Sequence, residues 1–394
     1  MVFVVAGCSD QPTAPQTGSR SDIADPAPLY ASGLDPRVAR GVYSVLYKHD
    51  VVNARALTAH LRHAHKFVLR HEWDESWMKG FSAKISEKEV EKLRRHPQVA
   101  YVSQVQIGRA GGTQSFPPNW GLDRIDQRQL PLNNQYVYTD SAPGVIAYII
   151  DSGIRRTHQD FEGRAFLGTD VVTEGGNGID CWGHGTHVAS VAGGRSYGVA
   201  KKLLLYSVRV TYCDGSVWSD DAVTGINWVT NDHNTFQDPA VANLSLYWLT
   251  VVPEVDQAIA ASISAGVTYI VLAGNQADNA CNYTPAHTLG TITVGSTDAT
   301  DFKMVNSNYG ACLNLFAPGA DITGASNLSD TGQNVESGTS LAAPHVTGIA
   351  AMYLGRNPSA SPTTVKSAIV NNATAGVVMN AGANSPNRLA YSRF

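Results

Sequence analysis

Three short blocks each carry one reactive side chain, in the order Asp, His, Ser. Asp151 closes the apolar run Ile149-Ile150-Asp151-Ser152-Gly153. His184 lies in Gly183-His184-Gly185-Thr186-His187-Val188-Ala189, and Ser340 in Ser337-Gly338-Thr339-Ser340-Leu341-Ala342-Ala343-Pro344-His345. A serine hydroxyl is a weak nucleophile at neutral pH and needs a base within hydrogen-bond reach. The imidazole in turn needs a carboxylate to fix its tautomer and stabilise its charged form. Taken singly each block is ordinary, since an Asp after an apolar run is usually a cap and Gly-Thr-Ser is common loop punctuation. Together they point to acyl transfer by a nucleophilic serine.

Chain order separates the unrelated folds that use this constellation, and Asp, His, Ser is the subtilisin order. On these blocks the chain resembles the subtilase family over residues 112–394, and within it the proteinase K group with its aqualysin-like secreted enzymes. The resemblance implies an exported, self-processing serine endopeptidase acting on proteins or peptides, with Asp151, His184 and Ser340 as its triad. Ile270-Val271-Leu272-Ala273-Gly274-Asn275 reads as a buried strand ending in a turn. There the resemblance assigns Asn275 to the oxyanion hole beside the Ser340 N–H, so Asn275 should affect turnover more than binding.

The spacing of His184 and His187 brings both onto one helical face, but no Glu follows the first and no third ligand motif lies nearby. His187 and His345 therefore read as structural. The resemblance also implies that substrate lies as an added strand between two edges, Gly215-Ser216-Val217-Trp218 and Ser245-Leu246-Tyr247-Trp248, with Ala273 and Gly274 beside it. Val217, Tyr247 and Trp248 are bulkier than the family pattern, which predicts narrowed pockets unless the loop is re-registered and its aromatics face outward. Leu341 stands where relatives carry an oxidisable Met, predicting peroxide tolerance.

Asp123, Asp126 and Gln127 match a calcium site of aqualysin-like enzymes, while Asn314 replaces a carboxylate of a second site and should weaken it. Calcium would be structural. No catalytic metal or organic cofactor is implied.

At 394 residues, 43% apolar and 16% charged, the chain can bury a large core and more than one unit. No run reaches the length of a membrane span and no basic stripe suggests nucleic acid. Residues 41–109 carry 12 Lys/Arg against 7 Asp/Glu, and 110–394 carry 14 against 22, so the two parts are oppositely charged. Cys181, Cys213, Cys281 and Cys312 allow three pairings, of which the resemblance implies Cys181–Cys213 and Cys281–Cys312, in an oxidising compartment. Val5-Ala6-Gly7-Cys8 resembles the end of an export signal or lipoprotein box, so acylation of Cys8 is the one route to a membrane. Residues 1–8 are thus read as signal, and 9–40, rich in Pro, Ser and Asp, as a flexible tether.

In 41–109 the patterns run strand (41–47), helix (53–64, with an Asn53 cap), strand (67–73), strand (80–85), a helix opened by a Ser86/Glu89 capping box, and strand (99–102). This β-α-β-β-α-β order predicts a small α+β, ferredoxin-like domain. It resembles the inhibitory propeptide of subtilases, which makes this segment the enzyme's own intramolecular inhibitor, with the cut within 108–113. Six of the 12 histidines lie in it, mostly as surface groups.

Residues 110–394 alternate apolar strands (145–151, 203–211, 241–246, 269–273, 292–294) with helical patterns (184–192, 219–232, 254–265, 340–354). This predicts an α/β, subtilisin-like parallel sheet with helices on both faces. A monomer is expected. The alternative is a subtilase-fold binding protein, capped by its propeptide or blocked at Tyr247 and Trp248.

Overall fold

The computed structural model describes residues 26–30, 38–106, 111–173 and 176–394, and the signal and Cys8 readings lie outside these. They fall into two compact units, one within 1–107 and the other within 108–394.

The first unit comprises β1 (Leu29–Tyr30), β2 (Val38–Tyr47), α1 (Ala54–Ala64), β3 (Phe67–Asp74), β4 (Lys79–Ile85), α2 (Glu87–Leu93) and β5 (Val99–Gln106). Its sheet order is β1-β5-β2-β4-β3, a ferredoxin-like arrangement with one added edge. Asn53 caps α1 by accepting from the Ala56 N–H. Ser86 caps α2 from Glu89, but Glu89 does not close a reciprocal capping box: its carboxylate goes to His65 and Lys92 instead. The tether expected over 9–40 is also corrected, because Leu29 and Tyr30 pair in parallel with Val102 and Ser103. The unpaired edge of β5 offers free backbone groups that an extended segment satisfies, whatever its composition.

The second unit runs β6 (Gly112–Ser115), α3 (Trp120–Ile125), β7 (Gln135–Tyr138), β8 (Ile146–Asp151), β9 (Ala165–Asp170), α4 (His184–Gly193), β10 (Leu204–Arg209), α5 (Ser219–Phe236) and β11 (Ala240–Leu244). It continues with α6 (Pro253–Ala265), β12 (Thr268–Leu272), β13 (Ile292–Thr297), β14 (Leu315–Pro318), β15 (Ile322–Ala325), β16 (Gln333–Glu336), α7 (Thr339–Arg356), α8 (Pro362–Asn372), β17 (Thr374–Ala375) and β18 (Arg388–Leu389). The main sheet has the order β17-β18-β14-β13-β12-β11-β8-β10-β9 and is parallel except for β17 against β18.

Alternation along β8 explains the two helical layers. Ala147 and Ile149 face a core shared with α4 and α7, while Ile146, Tyr148 and Ile150 face a core shared with α5 and α6. Both faces of the strand are therefore apolar, and only its end is free for polar groups. From β8 the chain passes to β10 on one side and β11 on the other, which opens a crevice at the carboxyl ends of the strands.

Candidate active site

That crevice gathers the reactive residues. Asp151 ends β8, Ser245 follows β11, and Asn275 follows β12, on adjacent strands. His184 begins α4. Gly185 lets this helix approach, because a side chain there would fall onto the Gly153 carbonyl and come within 3.2 Å of Asp151.

His184 Nδ1 lies 2.8 and 3.0 Å from the two oxygens of fully buried Asp151. A carboxylate only accepts, so Nδ1 carries the proton and Nε2 is the free basic nitrogen. Burial alone would lower the His184 pKa, but the Asp151 charge and hydrogen bond, helped by Glu336 and Asp180, outweigh it and hold the pKa above its usual value.

Ser340 occupies the first turn of α7, where backbone N–H groups lack intrahelical partners. A Cβ on Gly338 would lie 3.2 Å from Ser340 Oγ and 3.5 Å from Asn275 Nδ2, so both side chains border one small space. Asn275 Oδ1 accepts from the Thr339 N–H (3.0 Å) and the Thr339 hydroxyl (2.9 Å). With its oxygen thus occupied, the amide presents Nδ2 as a donor.

Pro344 explains a further link. It has no N–H to offer the Ser340 carbonyl one turn earlier, and the Ser245 hydroxyl donates to that oxygen instead, at 2.9 Å. Ser245 accepts from Asn243 Nδ2, whose Oδ1 accepts from Thr347. A buried polar relay thus ties the serine's helix to β11.

The expected substrate residues behave differently from one another. Thr211 and Val217 form an isolated antiparallel bridge, and the Tyr212 N–H donates to the Ser216 carbonyl, so Ser216 and Val217 sit on a tight hairpin. Trp218 is 61% exposed and leans on Tyr212, and Trp248 packs with the α5/α6 core, so neither supports a narrowed cleft. Tyr247 is half-buried and its hydroxyl accepts from Gln276 Nε2 at 2.6 Å. Gln276 Oε1 in turn accepts from the Asn275 N–H, so Tyr247 braces the loop after β12. Leu246, Ala273, Gly274 and Leu341 are buried.

Both histidines read as structural are fully buried with pKa values lowered by burial to about 4. His345 donates from Nδ1 to the Leu341 carbonyl and accepts on Nε2 from Asn119. Disulfides join Cys181 to Cys213 and Cys281 to Cys312.

The candidate metal ligands fit a cation only in part. Asp123 spends both oxygens on the N–H groups of Asn133 and Asn134, and Gln127 Nε2 donates to the carbonyls of Gln129 and Pro131. Asp126 Oδ2 accepts from Val137, but its Oδ1 is buried without a partner, and burial raises its pKa to about 6. That unpaired oxygen beside a second carboxylate is what a hard cation would use. Among the described residues no group of three or more His, Cys, Asp or Glu is arranged around a metal position. Asn314 Oδ1 accepts from the Thr293 N–H.

Sequence reasoning missed Thr339, Gln276, Asp180, Trp182 and Glu336. All five lie in or beside identified blocks, but nothing in the type or spacing of Glu336 pointed to His184, which it reaches through the β15/β16 hairpin.

A model described as "Subtilase family" matches residues 143–390, and one described as "Peptidase inhibitor I9" matches 43–107. An extracellular serine proteinase of Thermus sp. (strain Rt41A) is 48% identical over 80% of this chain and 76% of its own length. Alkaline serine exoprotease A of Vibrio alginolyticus is 42% identical over 79% of this chain, which spans 58% of that relative. The crystal structure of a cold-adapted subtilisin-like serine proteinase superposes with a TM-score of 0.67 at 40% identity, covering 70% of this chain and 98% of that one. The parallel sheet, the crevice at its strand ends and these likenesses converge, and the chain belongs to the subtilase family of serine proteinases, with an inhibitor I9 segment before the catalytic unit.

Proposed function

We propose that this protein is an exported endopeptidase that cuts itself between its two units and then hydrolyses protein substrates through Asp151, His184 and Ser340. The observation that carries the reading is the His184 Nδ1–H directed at both Asp151 oxygens, in the crevice at the strand ends where Asn275 and, at the start of α7, Ser340 border one small space. Ser340 Oγ attacks the scissile carbonyl while its proton passes to His184 Nε2, and Asp151 stabilises the resulting imidazolium. The oxyanion takes hydrogen bonds from Asn275 Nδ2 and the Ser340 N–H. His184 then returns the proton to the leaving amine, the acyl-enzyme remains on Ser340, and a water activated by His184 releases the acid.

Substrate would pair along 215–218 and 245–248. Tyr247, tied to Gln276, shortens the pocket for the residue before the scissile bond, which favours small side chains there. Within the expected cut region, Gly112 and Thr113 are paired with Tyr138 and Val137 in β6, and residues 108–110 lie outside the described residues. Two disulfides and the name of the Thermus relative support an extracellular location, and no described helix is long and apolar enough to cross a membrane. Calcium, held by Asp126 with Asp123 and Gln127, would stabilise the fold and take no part in catalysis. Chelation should then lower the melting temperature and leave kcat unchanged.

The test is the intact mass of purified wild type beside Ser340→Ala, with sequencing of any new N-terminus. Loss of about the first hundred residues by the wild type alone supports the proposal. Both chains remaining whole in oxidising, calcium-containing buffer favours the binding-protein alternative.

A further inference from the structure

The hydrogen bond to Asp151 leaves one freedom in the His184 ring. It fixes Nδ1, but rotation about the line from Nδ1 to the carboxylate would swing Nε2 away from the serine. The Trp182 indole lies against the imidazole face, with ring centroids 4.9 Å apart and planes 24° apart. Trp182 is 43% exposed, so packing in a core does not fix its position.

Its backbone is held from several directions. Asp180 Oδ1 accepts from the N–H groups of Trp182 (3.1 Å) and Gly183 (2.7 Å) and from Ser152 Oγ (2.8 Å), while Oδ2 accepts from Thr186. Ser152 Oγ also accepts from the Gly185 N–H, which joins this network to the end of β8. The Cys181–Cys213 disulfide clips the preceding residue to the hairpin carrying Gly215. A side chain at Gly215 would lie 2.8 Å from the indole, so only glycine lets the hairpin close on it. A mobile surface tryptophan would not need this support.

We propose that Trp182 is a positioning residue for the base: its stack on His184 blocks rotation of the ring and offers a π-face to the imidazolium that forms during the reaction. This rests on the reading of His184 as the general base. Because the cation exists only after proton transfer, the contact is stronger in the transition state than before it, and its loss should appear in kcat. The charged and titratable groups around His184 are Asp151 on β8, Asp180 on the preceding loop, Glu336 on β16 and His187 one turn along α4. Trp182 adds no charge to this set.

The experiment replaces Trp182 with Leu, which still shields the imidazole from water but has no π-face, and with Phe, which restores a smaller one. In the full chain carrying Ser340→Ala, the His184 ring proton is titrated by NMR. Trp182→Leu should lower the His184 pKa by about 0.4–0.7 units, equivalent to roughly 0.5–1 kcal/mol, with Phe between. In processed enzyme the Leu variant should lose about two- to fivefold in kcat at alkaline pH, with KM unchanged and the acidic limb of kcat/KM moved down by the same amount. An unchanged His184 pKa in both variants overturns the proposal. So does a loss carried by KM alone, which would make the indole a wall for substrate. If Trp182→Leu fails to fold, the Phe variant decides the matter by the same two readouts. If Ser340→Ala retains proteolysis, the reading of the triad fails, while the titration still reports whether the stack acts on the ring.

Discussion

Replacing Asn275 with Ala tests the oxyanion assignment most directly. The side chain is held by two hydrogen bonds from Thr339 to its oxygen, at 3.0 and 2.9 Å, which leaves its Nδ2 as the group facing the space beside Ser340. Loss of one such donor costs about 2.7–4 kcal/mol of transition-state stabilisation, so kcat should fall about 10²–10³-fold while KM changes little. Thr339→Val provides the internal control. It keeps the N–H bond and removes the hydroxyl, which donates to Asn275 and also accepts from the Gly274 N–H at 3.2 Å; the lost bond to the amide, worth about 0.5–1.5 kcal/mol net, should cost roughly 2–10-fold by loosening it. Asn275→Asp preserves the two acceptor contacts but places an anion where a donor is needed, and should be at least as damaging as Ala. The assay is steady-state hydrolysis of a chromogenic peptide by processed enzyme, with defective variants cleaved in trans by tagged wild type that is then removed. A fall in kcat of less than fivefold for Asn275→Ala, or a matching rise in KM, would refute the reasoning. Equal losses for Thr339→Val and Asn275→Ala would show that the loop, and not the donor, had been disturbed.

Tyr247→Gly should open the pocket before the scissile bond and raise the Phe-to-Ala preference there at least about tenfold in kcat/KM, since each added methylene in an apolar pocket is worth about 1–3 kcal/mol. An unchanged preference across matched peptides would place Tyr247 outside the pocket. Replacing Cys281 and Cys312 with Ser removes a link between residues 31 apart, worth roughly 3–4 kcal/mol, and should lower the melting temperature by roughly 10 °C. Calorimetry of the Ser340→Ala background checks this without autolysis. His187 and His345 have folded pKa values depressed to about 4 by burial, below the unfolded value near 6.5, so the unfolded chain binds more protons between those limits. Stability should therefore fall as pH drops from 6.5 to 4, by roughly 3 kcal/mol for each, and His345→Gln should remove about half of that slope. Urea unfolding at a series of pH values measures it, and a flat profile over that window would count against neutral buried imidazoles.

Much of the fold was legible because its strands are apolar on both faces and its helices carry recognisable starts. The pattern at 145–151 marks β8, and Asn53 caps α1 as its residue type suggests. Two local readings failed for the same reason. Glu89 had a capping partner in sequence but found His65 and Lys92 in space, and residues 29–30 looked like tether until the edge of β5 was there to receive them. The bulky residues near the cleft show the limit most clearly. Residues 217, 247 and 248 read alike as bulk, yet Val217 sits on a tight hairpin, Trp248 enters a core and only Tyr247 braces the site.

The reactive trio, their order and the turn residues around them were determined by the sequence itself, because a nucleophile, its base and its carboxylate require particular side chains and close backbone approach. The partners that aim those groups were decided by tertiary structure. Thr339 orients Asn275, Ser245 takes up the carbonyl freed by Pro344, Glu336 adds its charge from a distant hairpin, and Trp182 lies across the imidazole. Sequence spacing does not encode such contacts: most join strand ends and helix starts from far along the chain in one crevice, and the one local pair, Trp182 with His184, stacks where Asp180 and the Cys181–Cys213 link hold the backbone.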